Sequence, residues 1–149
     1  LGMSQPIRDP NVLINYPIHT PAEGEIMLNR PLYHRLMQHD KYFALYRAYF
    51  DQFISEYFEN GRFEETLAQT EQMIAPYVQK DPTSFCSYED HKLAVDTLKS
   101  VCLLRAESVR GQLEGYFPST LQQQLYMDAG VDASEIKLTD LGDFDDLSS

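Results

Sequence analysis

Tryptophan is absent from the chain and cysteine is rare, since Cys86 and Cys102 are the only two cysteines among 149 residues. Their spacing matches neither a CxxC motif nor a metal-ligand pattern, so neither a disulfide framework nor a zinc site is expected. No apolar run approaches the roughly 20 residues of a membrane-spanning helix, and no signal peptide opens the chain. We therefore expect two unpaired thiols and no membrane span.

Basic residues are also scarce. Twelve Lys and Arg residues stand against 23 Asp and Glu residues, which gives a net charge of −11. Such a surface repels a phosphate backbone, so nucleic acid is not expected as a partner. After Gly130 the one basic residue, Lys137, accompanies six acidic ones: Asp132, Glu135, Asp140, Asp143, Asp145 and Asp146. We expect residues 130–149 to form an acidic, partly mobile tail.

The motifs that bind nucleotides are missing. There is no GxxxxGK[ST], no GxGxxG, and neither the HRD nor the DFG motif of ordinary protein kinases. The acidic residues near the end of the chain lack the glycine and glutamate of a calcium loop. No pair at the i, i+4 spacing of a helical metal site occurs among the four histidines, His19, His34, His39 and His91. We therefore assign no catalytic, cofactor-binding or metal-binding residue in this chain.

Hydrophobic residues make up 43% of the chain, with ten Tyr and eight Phe, which predicts one domain with an aromatic core. Apolar residues at spacings of three and four predict helices over residues 31–37, 40–60, 63–77, 87–115 and 121–127. The second helix carries a stripe that we expect to face the core, with a ligand groove as the alternative: Tyr42, Leu45, Tyr46, Tyr49, Phe53, Ile54, Tyr57 and Phe58.

Capping residues mark where the helices begin. Asp40 and Ser119 are predicted N-caps, and Ser87 with Asp90 resembles a capping box in front of the longest helix.

Other residues mark where the helices end. Asn60 followed by Gly61, and later Gly115 and Gly130, are predicted stops. Pro76 should kink or end its helix because it lacks an amide proton.

The two ends of the chain carry no helical period. Residues 1–30 contain four prolines and are predicted to be extended and irregular, with residues 12–14 forming either a short strand or an apolar plug. Alternation over residues 136–141 predicts a short extended segment. The predicted fold is mainly α: a helical bundle over residues 31–129 between irregular N-terminal and C-terminal segments.

Three charged residues on the longest helix have two interpretations. Arg105, Glu107 and Arg110 could contact a neighbouring lobe, or they could belong to a salt-bridged helix surface, which we favour slightly.

Several stretches together resemble the C-terminal region of the CotH kinase family, atypical kinases named for a spore coat protein. Residues 14–21 read INYPIHTP, where His19 stands in place of the Asp usual in the family. The other stretches follow in the family's order between about residues 11 and 142: NRPL at 29–32, EYF at 56–58, IAPYV at 74–78, KDPT at 80–83 and LRAESV at 104–109.

This resemblance implies a divergent protein kinase that uses ATP and a divalent metal to phosphorylate serines of spore coat or surface proteins of a bacterium. In the family, the nucleotide lysine and the two catalytic and metal-binding aspartates lie upstream of the NYP segment, so no catalytic residue carries over to this chain. Residues 1–4 would then end the loop that follows the metal-binding aspartate. We expect the chain to be a fragment of a parent protein, and its bundle to resemble the helical part of the kinase large lobe. Its partners would be the missing N-terminal part and the parent's protein substrate.

Two alternatives remain open. The chain could be a freestanding helical protein-interaction module that docks through its aromatic helix or acidic tail. The parent could also be a non-catalytic CotH-like adhesin or coat protein, because family membership does not fix activity.

Overall fold

The computed structural model describes residues 9–20 and 29–142. Over these residues the fold is mainly α, as predicted, and it contains no strand. The helices are α1 Pro10–Ile14, α2 Pro31–Met37, α3 Asp40–Phe53, α4 Arg62–Val78, α5 Tyr88–Glu114 and α6 Leu121–Gln124. A π-helical segment, Ile54–Glu59, continues α3 directly, and a 3₁₀ turn covers Leu138–Leu141.

The longest helix, α5, begins and ends where local signals place it. The Ser87 side chain accepts from the Asp90 amide, and the Asp90 carboxylate accepts from the Ser87 amide, so the predicted capping box is confirmed. At the other end Gly115 adopts a left-handed backbone with φ of 85°, which a residue with a side chain adopts only under strain. These caps set a 27-residue helix against which most of the chain packs.

α3 and its π-helical continuation end as the sequence predicts. Gly61 is left-handed, with φ of 81°, and α4 starts at the next residue. The first helical residue is Asp40 and the N-cap is His39, one residue before the predicted cap. Pro76 lies inside α4, which ends two residues later at Val78.

Besides the Asp40 N-cap, three local predictions are wrong: the strand alternative for residues 12–14, the Ser119 N-cap and the extended segment near the C-terminus. Residues 12–14 are helical rather than a strand, because the Asp9 side chain caps the Asn11 amide and Pro10 supplies a helical φ at the first turn. Thr120, not Ser119, caps α6, which stops at Gln124. The expected extended segment near the C-terminus is instead the 3₁₀ turn against α5.

The core lies around the C-terminal half of α5. One cluster of buried residues joins Ile18 and Ile54 to Ala106 and Val109 on α5. A second cluster contains Ile14, Val131 and Ala133, so the apolar-plug interpretation of residues 12–14 holds for Ile14, which is fully buried. Helix α5 also contacts α1, α3, the π-helical segment, α4 and the 3₁₀ turn.

The aromatic stripe of α3 is only partly in the core. Ile54 is buried, and Tyr46 and Phe50 are half-buried against the first cluster. A second row, at a different angle around the same helix, is exposed instead: Tyr42, Leu45, Tyr49 and Phe53. The hydrophobic period identified α3 as a helix with apolar residues. It did not show which row of apolar side chains faces α5.

None of the described helices is both long and apolar enough to cross a membrane. The proposed division at residues 30 and 130 stays a prediction. Its outer parts, residues 1–8 and 143–149, together with residues 21–28, lie outside the described residues.

Candidate functional site

Residues 14–20, here called the NYP segment, cross the C-terminal half of α5. Ile14, Pro17 and Ile18 are buried and anchor the segment by apolar contact. Because the segment is neither strand nor helix beyond Ile14, its backbone polar groups need partners from elsewhere. The amides of Asn15 and His19 donate to the backbone oxygens of Asn11 and Ser119, and the remaining partners are side chains of α5, α3 and α6.

Arg105 and Gln112 bind the NYP segment from α5. The Arg105 guanidinium donates to the carbonyl oxygens of Ile14 at 2.8 Å and Tyr16 at 2.6 Å. Gln112, which is 2% exposed, accepts from the Ile18 amide at 2.9 Å and donates to the Tyr16 oxygen at 3.3 Å. Burial lowers the pKa of Arg105 below its usual range, which reflects how far the guanidinium is withdrawn from water.

Asn15 links the NYP segment to the C-terminal loop. Its Oδ1 accepts from Ser108 Oγ and from the Val131 amide, each at 2.9 Å. Its Nδ2 donates to the Val131 oxygen at 2.8 Å, while Gln124 donates to the Asn15 carbonyl at 2.8 Å. The fully buried Ser108 hydroxyl also accepts from Gln112, so these bonds form one network.

The far end of the segment is held by α3. Tyr46 donates its hydroxyl to the Ile18 oxygen at 2.6 Å, and burial, aided by the nearby Tyr33, raises the Tyr46 pKa above its usual range. The Arg47 guanidinium donates to the Leu113 oxygen at the end of α5 and lies 3.3 Å from His19 Nε2.

His19 joins three parts of the chain. Because an arginine nitrogen can only donate, His19 Nε2 accepts from Arg47, and Nδ1 therefore carries the proton that it donates to Ser119 Oγ at 2.9 Å. Burial and, to a lesser extent, the charge of Arg47 lower the pKa of His19 from 6.5 to about 4. His19 is thus neutral at pH 7, and Arg47 gains no charged partner from it.

A third arginine, Arg110, links α5 to α3 and its π-helical continuation on the outside. Its guanidinium forms salt bridges with Asp51 and Glu59 and donates to Ser55 Oγ at 3.0 Å. The salt-bridged interpretation is therefore confirmed for Arg110 and wrong for Arg105, whose partners are backbone carbonyls. Glu107 is exposed.

Other candidate side chains do not converge. Within residues 9–20 and 29–142, no three His, Cys, Asp or Glu side chains are close enough to hold a metal ion. His34 bonds Gln38 on α2, and His91 stacks on Tyr88 at the start of α5. Asp143, Asp145 and Asp146 lie outside the described residues.

The two cysteines differ in their exposure to solvent. Cys86 is an exposed free thiol in the loop before α5. Cys102 is free and half-buried on α5, and burial raises its pKa. The thiolate needed for nucleophilic chemistry is thus disfavoured at Cys102.

An apolar groove of about 340 Å³ opens beside the NYP segment. It lies between α1, α3 with its π-helical continuation, and α5, and its lining includes Leu13, Phe50, Phe58, Val101 and Cys102. Among the described residues, Arg105 is the one charged residue that lines it, and that side chain is already bonded to carbonyls.

The guanidinium groups of Arg47, Arg105 and Arg110 are all engaged with protein groups: Arg47 and Arg105 with backbone oxygens, and Arg110 with the carboxylates of Asp51 and Glu59. What the arrangement provides is a backbone segment held rigidly on a helix. Sequence reasoning missed Asn15, Ser108 and Gln112, although polar residues at 105, 108 and 112, at helical spacing beside the apolar residues of α5, are a signal of buried hydrogen bonding.

Comparison with known proteins gives one match. Residues 12–109, more than half of the chain, match the family model described as CotH kinase protein. The matched range includes the NYP segment, its α3 partners and α5 up to Val109. No curated protein and no solved structure matches the chain. The chain therefore belongs to the CotH kinase family.

Proposed function

We propose that this chain is the C-terminal helical portion of a CotH-like atypical protein kinase, where it supports the catalytic site without supplying it. The parent protein would transfer phosphate from ATP to serines of spore coat or surface proteins, with a divalent metal. The observation that carries this proposal is the family match over residues 12–109, combined with the hydrogen-bond network that fixes the NYP segment on α5.

The network favours a supporting role because most of its side chains hold backbone groups of the NYP segment, and Ser108 links two of those side chains, Asn15 and Gln112. The carbonyls of Ile14, Asn15, Tyr16 and Ile18 all accept from side chains. Buried polar networks of this kind, when fully satisfied, fix a unique conformation. A segment fixed in this way can position the polypeptide that precedes it, which in the proposal carries the nucleotide site.

The apolar groove favours further protein as its occupant. It is open on one side and lies next to Leu13, so the polypeptide upstream of the NYP segment would reach it directly. An exposed apolar concavity in a soluble fold is a usual place for contact with another protein part. In the proposal, the upstream part of the parent kinase covers this groove.

Calorimetry on this chain tests the proposal. Titration with MgATP and with MgCl₂ alone should give no binding heat, because the proposal puts the nucleotide and metal sites on the upstream part of the parent. Binding of MgATP with a Kd in the micromolar range would contradict the supporting role.

A freestanding helical interaction module is the alternative, and the exposed row on α3 favours it. An environment-sensitive dye separates the two. If the dye fluoresces strongly and Val101→Ser reduces the signal, the dye binds in the groove. The supporting role predicts this result. Fluorescence that depends only on Tyr49→Ser would place the uncovered surface on α3, in favour of the alternative.

A further inference from the structure

The exposed row on the outer face of α3 consists of Tyr42, Leu45, Tyr49 and Phe53, which we call the outer stripe. These side chains are 43%, 42%, 67% and 53% exposed. Their spacings of three, four and four residues place them on one face of the helix. Tyr42, Leu45 and Tyr49 lie apart from the groove, whereas Phe53 borders both surfaces.

Helical rotation places Lys41 and Gln52, both exposed, on one side of this stripe. Among the described residues, exposed charges lie near its two ends: Lys41 at the start of α3 and Glu56 in the π-helical segment beyond its end. Neither forms an ion pair with another described residue. Gln52, on that same flank, donates to Glu56 Oε1 at 3.1 Å, which holds the carboxylate beside the stripe.

The positions of Lys41 and Glu56 match those on a second α3 that runs in the opposite direction. The midpoint between Lys41 and Glu56 falls between Ala48 and Tyr49, and the two charges are about 22 Å apart along the helix axis. If a second α3 lies antiparallel across the first, each Lys41 therefore meets the other copy's Glu56.

We propose that the outer stripe forms a symmetric, antiparallel contact with the outer stripe of a second copy of this chain. A two-fold interface of this type uses the same patch on both copies. Parallel pairing would instead place Lys41 against Lys41 and Glu56 against Glu56, so the charges select the antiparallel orientation.

The expected affinity follows from the size of the stripe. Four half-exposed side chains offer roughly 100 Å² each, and the flanking residues bring the area buried by both copies to about 1,200 Å². That area lies at the lower end for a specific interface, so we expect a dimer with a Kd of about 10–100 µM. The net charge of −11 opposes association, and moderate salt should therefore leave the dimer detectable.

Analytical ultracentrifugation from about 5 to 500 µM tests the contact. The molecular weight should rise with concentration from monomer towards dimer. Tyr49→Ser should weaken dimerisation by about 30-fold or more. The control is Tyr77→Ser on α4, since Tyr77 is 76% exposed but far from the stripe in sequence, and it should leave the Kd unchanged.

A charge exchange tests the orientation. Lys41→Glu and Glu56→Lys should each weaken dimerisation by about fivefold or more, and the variant carrying both should recover the original Kd at the original net charge. Lys80→Glu, which changes the net charge by the same amount as Lys41→Glu, should have a clearly smaller effect.

Three results would overturn the proposal: a chain that stays monomeric throughout, equal weakening by the Tyr49 and Tyr77 variants, or no recovery in the double exchange. A monomeric chain would leave the stripe to another occupant, such as the upstream part of the parent. The contact is independent of nucleotide binding, so its failure does not affect the calorimetric test of the supporting role.

Discussion

Replacing Gln112 with leucine should destabilise the fold by about 2 kcal/mol. The Gln112 side chain is 2% exposed and accepts from the Ile18 amide at 2.9 Å. Leucine fills a similar volume, so apolar packing is largely kept, but the buried Ile18 amide loses its partner, which costs about 1–3 kcal/mol. Tyr16 and Ser108 each keep another bond, to Arg105 and Asn15.

Urea unfolding followed by circular dichroism measures this loss. For a chain of this size, 2 kcal/mol corresponds to a melting temperature lower by about 4–8 °C. Gln122→Leu is the matched control, because Gln122 is exposed on α6 and should change stability by less than about 0.5 kcal/mol. Equal stability of the Gln112→Leu variant and the wild-type chain would refute the assigned role of the network.

A double-mutant cycle sharpens the test. The Tyr16 carbonyl accepts from both Arg105 and Gln112, so either single variant leaves it one donor. Only the pair Arg105→Met and Gln112→Leu leaves that carbonyl unpaired. The combined loss should therefore exceed the sum of the single losses by about 1 kcal/mol. Strict additivity would show that the two side chains do not share this acceptor.

Three further changes test neighbouring parts of the fold. Burial and Arg47 lower the pKa of His19 to about 4 in the folded chain. As the pH falls below 6.5, His19 is therefore protonated in the unfolded chain before it is protonated in the folded one. Stability measured by urea unfolding should drop by about 1–2 kcal/mol between pH 6.5 and 4, after discounting for partial exposure, and His19→Gln should remove that component. Gly111→Ala should cost about 1–3 kcal/mol in the same assay, because a methyl group there overlaps the Phe117 ring. Ser87→Ala should cost about 1 kcal/mol by thermal melting, because it removes the N-cap of α5; an unchanged melting temperature would contradict the capping role.

The helix boundaries were predictable because their signals are local. The capping box at Ser87 and the left-handed glycines Gly61 and Gly115 act within one turn of their own position. Ser119 and Thr120 are both suitable N-cap residues. The sequence pattern predicted Ser119, whereas Thr120 is the cap. The π-helical segment after Phe53 has no simple sequence signal and was missed.

The site was less predictable because its contacts are distant in sequence. Gln112 and Ile18 are 94 residues apart, and Asn15 and Val131 are 116 apart. Neither helix propensity nor hydrophobic periodicity predicts contacts between residues so far apart in sequence. The resemblance of residues 14–21 to the family indicated that the NYP segment mattered, but the donors that hold it became visible only in the fold.

The outer stripe shows a further reason why sequence alone did not predict which residues of α3 are buried. A helix with two apolar rows can bury either one, and Phe50 and Tyr49 differ by a single position along α3. The half-buried Phe50 packs on the first core cluster, whereas Tyr49 remains exposed. That choice depends on the position of α5, which the sequence of α3 does not contain.

The most direct test of the supporting role is a phosphotransfer assay with labelled ATP, a divalent metal and a serine-rich protein substrate. This chain alone should transfer no label, whereas the same chain joined to the upstream part of its parent should do so, and less in the Arg105→Met form. Transfer or hydrolysis by the chain on its own, above the level of a heat-unfolded sample, would contradict the account.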